Sequence, residues 1–382
     1  MHKGVQQIKN KIAVSCIGLS LQLPFFVKAP TAVLGIHIMT TKLGIKELAA
    51  HLDISIASVS RALHNPNRVS TNMRQRVQAA ARELGYEQNT LASGLRSSRT
   101  YNILVIIPKI SDQFISGVID SMESSAAQRG YSVLFCNSQG KREKELEYGK
   151  WVLSKRADGV IYFCETPPFS EDLMESDGFV LPPMVNSCEV NSSPSFKLEG
   201  YTIPSVTIDN VKAAYEITQH LIEQGHQRIA VITGGKHLVS SQQRLSGYRK
   251  ALSHAEIALD KKLILDGDYT LESGERLAHE LLTIEPRPTA VFCMSDVIAI
   301  GCMHSLKKEG VSIPNDIAVA GIDDIQFSSY CTPPLTTIAQ PVEDIGKICV
   351  ELLINIIEKN NIDDLHITLP HKLVLRESTQ EN

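Results

Sequence analysis

Between residues 102 and 323, short apolar runs recur with amphipathic stretches between them, and this alternation restricts the chain to very few architectures. The runs are NILVIIP (102–108), YSVLFCN (131–137), DGVIYF (158–163), PMVNS (183–187), SVTID (205–209), RIAVITG (228–234), LILDGD (263–268), TAVFCMS (289–295) and IAVAGID (317–323). Between them, stretches such as 113–129, 211–225 and 241–254 carry helical periodicity. Apolar runs with little polar alternation suit strands buried on both faces, so the pattern predicts an α/β fold with parallel sheets covered by helices on both sides. Nine strands are many for one such sheet, and the polar stretch EVNSSPSFKLEGYTIP (189–204) divides them. Two lobes are therefore expected within residues 101–382. One spans about 101–203 plus a returning segment near 325–345, the other about 204–324 plus 346–382. Ligands of such sheets sit beyond the carboxyl ends of the strands, which makes the interlobe cleft the expected small-molecule site.

A smaller unit, expected over residues 41–88, precedes the lobes. Ile45, Leu48, Ala49 and Leu52 have helical spacing, and a second short helix follows from Ser55 with Val59, Ala62 and Leu63 inward. A third, capped by Ser70, buries Met73, Val77, Ala80, Ala81 and Leu84 and stops at Gly85. Helix, tight turn and helix in IKELAAHLDISIASVSRAL (45–63) make a helix-turn-helix pattern, whose second helix enters a major groove if its outer face is slim. Short side chains in DISIASVSRALHNP (53–66) provide that clearance. Ser hydroxyls there can bond phosphate or base edges, Arg61 can pair with guanine, and Ile56 can pack on a thymine methyl.

Charge is partitioned to match. Residues 40–99 hold nine Lys/Arg against four Asp/Glu, and residues 1–39 hold four Lys and no acid; with a whole-chain charge of -4, the remainder carries -13. A basic segment beside an acidic body is the footprint of a polyanion partner confined to one end.

The eight cysteines are scattered without metal-ligand spacing, which predicts reduced thiols in a cytoplasmic protein. There is no P-loop and no G-x-S-x-G, and ITGGK (232–236) lacks the spacing of a phosphate-binding loop and reads as a turn. No enzyme activity and no cofactor are expected. KNKIAVSCIGLSLQLPFFVKAP (9–30) has a basic start and an apolar middle, but Pro24, Lys28 and Pro30 break it well short of a membrane span. Residues 1–40 are expected to be an extension outside the fold, with Met39 as the natural start. A rival reading takes them as a signal and the body as an exported solute-binding protein.

The run IKELAAHLDISIASVSRALHNPNRVSTNMRQRVQAAARELGY (45–86) resembles the LacI/GalR family of bacterial transcriptional regulators. The resemblance continues through SVTIDNVKAAYEITQHLIEQGHQRIAVITG, RLSGYRKAL, TAVFCMSDVIAIG and VAGIDDI, covering about Thr41 to Thr379. It implies a helix-turn-helix headpiece, a hinge over 89–100, and a two-lobed effector domain like that of periplasmic sugar-binding proteins. It implies that Ser55 caps the recognition helix, Ile56 and Ala57 select bases, and Ser60 and Arg61 touch DNA. Asn89 would open the hinge, and Leu95 would wedge into the minor groove of a palindromic operator, so a homodimer on double-stranded DNA is implied too. In the cleft, Arg244, Ser295 and Asp323 would offer polar groups to a ligand while Phe114 and Tyr269 wall in its ring.

LPPMV (181–185), GDYTLESG (267–274), FCMSDV (292–297) and CTPPLTTIAQP (331–341) resemble the cytidine-responsive branch, which favours a nucleoside over a sugar or base. Three departures stand out. Cys188 lies where many relatives carry Asp or Asn for a ligand hydroxyl, Asp53 where glycine is usual in the turn, and Met73 where a threonine is usual.

Overall fold

The computed structural model describes residues 44–64, 69–86, 99–189 and 202–380. The expected extension over 1–40, Asn89 and Leu95 lie outside these residues. The chain divides into two compact units, residues 1–88 and 89–382.

In the first unit α1 (Ile45–Leu52), α2 (Ile56–His64) and α3 (Thr71–Glu83) close around Leu48, Ala49, Val59, Ala62, Val77 and Ala80. Met73 packs against this core from its edge. Asp53 ends α1 with φ 52 and ψ 47, the left-handed conformation that explains the usual glycine. Ser70 caps α3 by accepting the Met73 N–H at 3.3 Å.

The second unit alternates strand and helix almost throughout. Its first half runs β1 (Asn102–Ile107), α4 (Gln113–Gln128), β2 (Ser132–Asn137), α5 (Arg142–Leu153), β3 (Gly159–Tyr162), α6 (Glu171–Met174), β4 (Met184–Ser187) and β5 (Ser205–Ile208). There follow α7 (Asn210–Glu223), β6 (Ile229–Ile232), α8 (Val239–His254), β7 (Ile264–Leu265), α9 (Leu271–Leu282), β8 (Ala290–Cys293), α10 (Asp296–Lys308) and β9 (Ala318–Asp323). The chain closes with β10 (Thr336–Ala339), α11 (Val342–Glu358), β11 (His366–Leu369) and β12 (Lys372–Val374).

All nine strands expected from apolar runs form, within two six-stranded sheets ordered β11-β5-β4-β3-β1-β2 and β12-β10-β9-β8-β6-β7. Every pairing is parallel except β10 with β12, at one edge of the second sheet. Alternating residues of β1 show why such runs need two covered faces. Ile103, Val105 and Ile107 pack with α4 and α11, whereas Leu104 and Ile106 pack with Val152 of α5 and with Phe169 and Met174. In β6, Ala230 and Ile232 face α9 and α10, and Ile229 and Val231 face α7 and α8. Each fully buried Ile, Leu or Val contributes about 1.5–3 kcal/mol of transfer free energy, so both faces of both sheets hold the fold together.

The partition of the lobes needs correction. β5 belongs to the first sheet although it follows the 189–204 stretch, because its four buried residues pair in parallel with β4. The segment expected to return to the first lobe near 325–345 largely stays in the second, since β10 pairs with β9. It is α11 and β11 that return, and they supply Ile345, Cys349, Val350, Leu352, Leu353 and Ile354 to the first core. The chain thus crosses between lobes three times, after β5, after β10 and after β11.

Helix starts are mostly capped from within. Asp112, Asp209, Thr270 and Ser295 accept N–H groups at the heads of α4, α7, α9 and α10 at 2.9–3.2 Å. The head of α8 has no capping side chain of its own. Where the chain joins this unit, Asp158 accepts the Thr100 N–H at 2.7 Å and the Tyr101 N–H at 2.8 Å, so residues 100–101, at and just past the end of the expected hinge, are bonded to the loop before β3.

Candidate functional site

A cavity of about 620 Å³ opens between the two sheets at the carboxyl ends of their strands. Its wall includes residues just past β1, β3, β4, β8 and the end of β9, the position that parallel α/β sheets reserve for ligands. All six residues expected at the ligand, Phe114, Cys188, Arg244, Tyr269, Ser295 and Asp323, line it, although they are spread over more than half of the chain.

Arg244 lies on α8, 6% exposed. Its Nε donates to Asn210 Oδ1 at 2.8 Å and its Nη1 to the Met294 carbonyl, which locks the guanidinium plane and leaves Nη2 for the cavity. Asp323, the last residue of β9, accepts a 2.7 Å hydrogen bond from Gln340 Nε2, and burial pushes its carboxyl well above the usual carboxylate range against the pull of Arg244. Ser295 spends its Oγ as an acceptor on the head of α10, so only its remaining hydroxyl capacity can serve a ligand. Burial also raises the Cys188 thiol, which keeps it protonated at neutral pH, with Ser187 Oγ at 3.5 Å. A protonated thiol cannot supply the strong acceptor that Asp or Asn would place there.

Several wall residues carried no sequence signal when read alone. Glu189, Ser240, Asp112 and Gln340 line the cavity, and Asn210 stands behind Arg244. Glu189 follows the residue expected at the ligand by one position, and Cys188 adopts φ 67, a turn that the side-chain pattern does not announce.

Gly234, within the turn ITGGK, also shapes the site. A Cβ there would stand 2.0 Å from Tyr269 Cζ, so the ring occupies the space that the glycine leaves. Tyr269 Oη is buried. Gly234→Ala is expected to push the ring into the cavity and weaken ligand binding by about tenfold. Thermal unfolding should move by no more than about 3 °C, because the displaced atoms end one side chain. Titration calorimetry beside a melting curve checks this, and an unchanged affinity would remove Tyr269 from the wall.

In the headpiece, Ser55 Oγ accepts the Ser58 N–H at 3.1 Å and so caps α2. Ile56 is 44% exposed, Ala57 and Arg61 are exposed, and Ser60 is half-buried. Arg61 Nε lies 3.1 Å from the Ala57 carbonyl, holding the side chain along its own helix with the outer end of the guanidinium free to reach a base edge. Small residues thus form the outer face of α2 while Val59 and Ala62 anchor the inner one. Among the described residues no cluster of His, Cys, Asp or Glu suits a metal ion, and no helix is long and apolar enough to cross a membrane.

Comparison with known proteins agrees with both units. The model of the bacterial regulatory proteins of the lacI family matches residues 44–89, and that of the periplasmic binding protein-like domain matches residues 218–379. The chain is 36% identical over 335 residues to the HTH-type transcriptional repressor CytR of Escherichia coli (strain K12), covering 88% of this chain and 96% of that one. It is 33% identical over 340 residues to Catabolite control protein A of Priestia megaterium, covering 88% and 99%. Among solved structures, the lac repressor dimer bound to operator and the anti-inducer ONPF superposes with a TM-score of 0.76 at 26% identity, covering 89% of this chain and all of that one.

Proposed function

Because the chain belongs to the lacI family of bacterial regulatory proteins, DNA-binding transcriptional regulators rather than enzymes, we propose that it represses transcription as a homodimer on a palindromic operator, under control of a nucleoside such as cytidine held between its lobes. The observation that carries the ligand half is the convergence of the six expected residues on one cavity. An arginine, a carboxylate and aromatic faces suit a ring bearing hydroxyls. Nucleoside is favoured over sugar or purine base by the four segments, LPPMV, GDYTLESG, FCMSDV and CTPPLTTIAQP, that resemble the cytidine-responsive branch.

On DNA, Ser55, Ile56, Ala57, Ser60 and Arg61 would meet the major groove while Asn89 and Leu95 serve the hinge. Control follows from differential affinity. A ligand that prefers one arrangement of the lobes shifts the population toward it, and a ligand indifferent to both changes nothing. A regulator that must reach the chromosome works in the cytoplasm. The rival reading, an exported solute-binding protein, has no use for the exposed slim face of α2.

A thermal-shift screen of nucleosides, bases and sugars against the purified protein tests the ligand, since a species binding only the folded state at 100 times its Kd stabilises it by about 2.7 kcal/mol. No shift with any nucleoside would sink the nucleoside assignment. For the hinge, Leu95→Ala is expected to weaken binding to the specific operator by at least about tenfold more than binding to random duplex, because a lost wedge forfeits only the bent complex. Equal losses in gel-shift titrations at one salt concentration would refute the wedge.

A further inference from the structure

The head of α8 opens into the cavity, with Leu238, Ser240 and Arg244 all in its wall. A helix start of this kind, with unspent N–H groups, the positive end of a 16-residue dipole and an arginine one turn on, is an anion site by construction. Here it is filled. Glu189, which follows β4 in the opposite lobe, accepts the Ser240 N–H on Oε2 at 2.9 Å and the Ser240 hydroxyl on Oε1. The carboxylate therefore supplies, from across the cleft, the cap that α8 lacks, and it is itself only 6% exposed.

The rest of the wall reinforces this. Glu165 and Asp268 join Glu189 around the cavity, against Lys109 and Arg244, while Arg142 is already paired with Glu145 at 3.3 Å. An incoming phosphate would have to displace Glu189 or sit beside it.

We infer that Glu189 makes the cavity refuse anions, restricting it to uncharged ligands: a nucleoside but not a nucleotide, a sugar but not a sugar phosphate. This rests on reading the cleft as a small-ligand site and sharpens what that site accepts. The selection comes from the protein's own carboxylate standing where a phosphate would bind, so removing it converts exclusion into affinity.

The test uses the full-length protein, with inorganic phosphate and cytidine 5′-monophosphate as anionic probes and cytidine as the neutral one, titrated at matched ionic strength. For the wild type, neither anion should bind saturably. Glu189→Ala should bind phosphate saturably and gain at least about tenfold in affinity for the monophosphate. Glu189→Gln, which keeps an acceptor for the Ser240 N–H but no charge, should gain less in the same direction, and it carries the test if the alanine variant does not fold. Wild-type protein that takes the monophosphate as tightly as either variant, or variants that gain nothing for either anion, would overturn the inference. Cytidine reports separately: its failure to bind the wild type would count against the nucleoside assignment alone, because the gain for phosphate is read without it.

Discussion

Arg244→Ala is expected to raise the dissociation constant of the ligand found by the screen by at least about 100-fold, equivalent to about 2.7 kcal/mol. The side chain is buried in the cavity wall, and its plane is set by two anchors that belong to different elements, Asn210 at the start of α7 and the Met294 carbonyl just past β8. Only a guanidinium can donate to both and still present a third nitrogen to a ligand. Arg244→Lys should consequently fare little better than alanine, although the charge is kept. Arg244→Ala leaves Asn210 Oδ1 and a buried carbonyl unpaired, which should cost about 2 kcal/mol of stability, visible as a lower urea midpoint with an unchanged slope. The headpiece should still fold in both variants, since it closes around its own core. Calorimetric affinity within about threefold of wild type would remove Arg244 from the ligand site.

The second large effect lies next to the cavity rather than in it. Asp296, fully buried at the start of α10, accepts the Ile325 N–H at 3.1 Å, the Thr337 hydroxyl at 2.6 Å and the Ser328 hydroxyl at 2.5 Å. It ties α10 to the loop after β9 and to β10, and Gly321 makes room for it: a Cβ there would stand 2.2 Å from Asp296 Oδ1. Asp296→Ala strands three buried donors at about 1–3 kcal/mol each, so a total loss of about 3–5 kcal/mol is expected in chemical denaturation. A loss below about 1 kcal/mol would show that the carboxylate is dispensable. Burial pushes the Asp296 carboxyl up to about 6, against the pull of these donors, so it is ionised at neutral pH. The folded state therefore holds an extra proton between the ordinary carboxylate range and about pH 6, and this group makes stability fall as pH rises through that window, with no further slope above it. Asp296→Asn should flatten that part of the curve.

The strands of this fold were legible because burial on both faces writes itself as an unbroken apolar run, as in NILVII and AVAGID. β10, β11 and β12 were not, since TTIA, HITL and KLV are short, and the last two are half-exposed edge strands. The lobe boundaries misled for a different reason. A long polar stretch looks like a domain joint, but the crossings are made by a few residues after β5, β10 and β11 with no change of composition. In the cavity, the resemblance pointed to six residues, and all six are among those that line it, drawn from both lobes. Glu189 and Ser240 escaped because their meeting depends on how two lobes face each other, a relation between residues 51 positions apart that no local pattern encodes.

The threefold crossing also sets the order in which this protein can become itself during synthesis. The headpiece emerges first and carries a complete core of its own. The first lobe then leaves the ribosome almost whole, but its sheet lacks β11 and its core lacks α11, which follow only after the last parallel strand of the second lobe has been made. For that interval the nascent chain exposes the apolar face of α4 and the outer side of β5, waiting for α11 and β11 far downstream. A chain released before α11 would keep the means to touch DNA while neither lobe could close on a ligand, a regulator deaf to its signal.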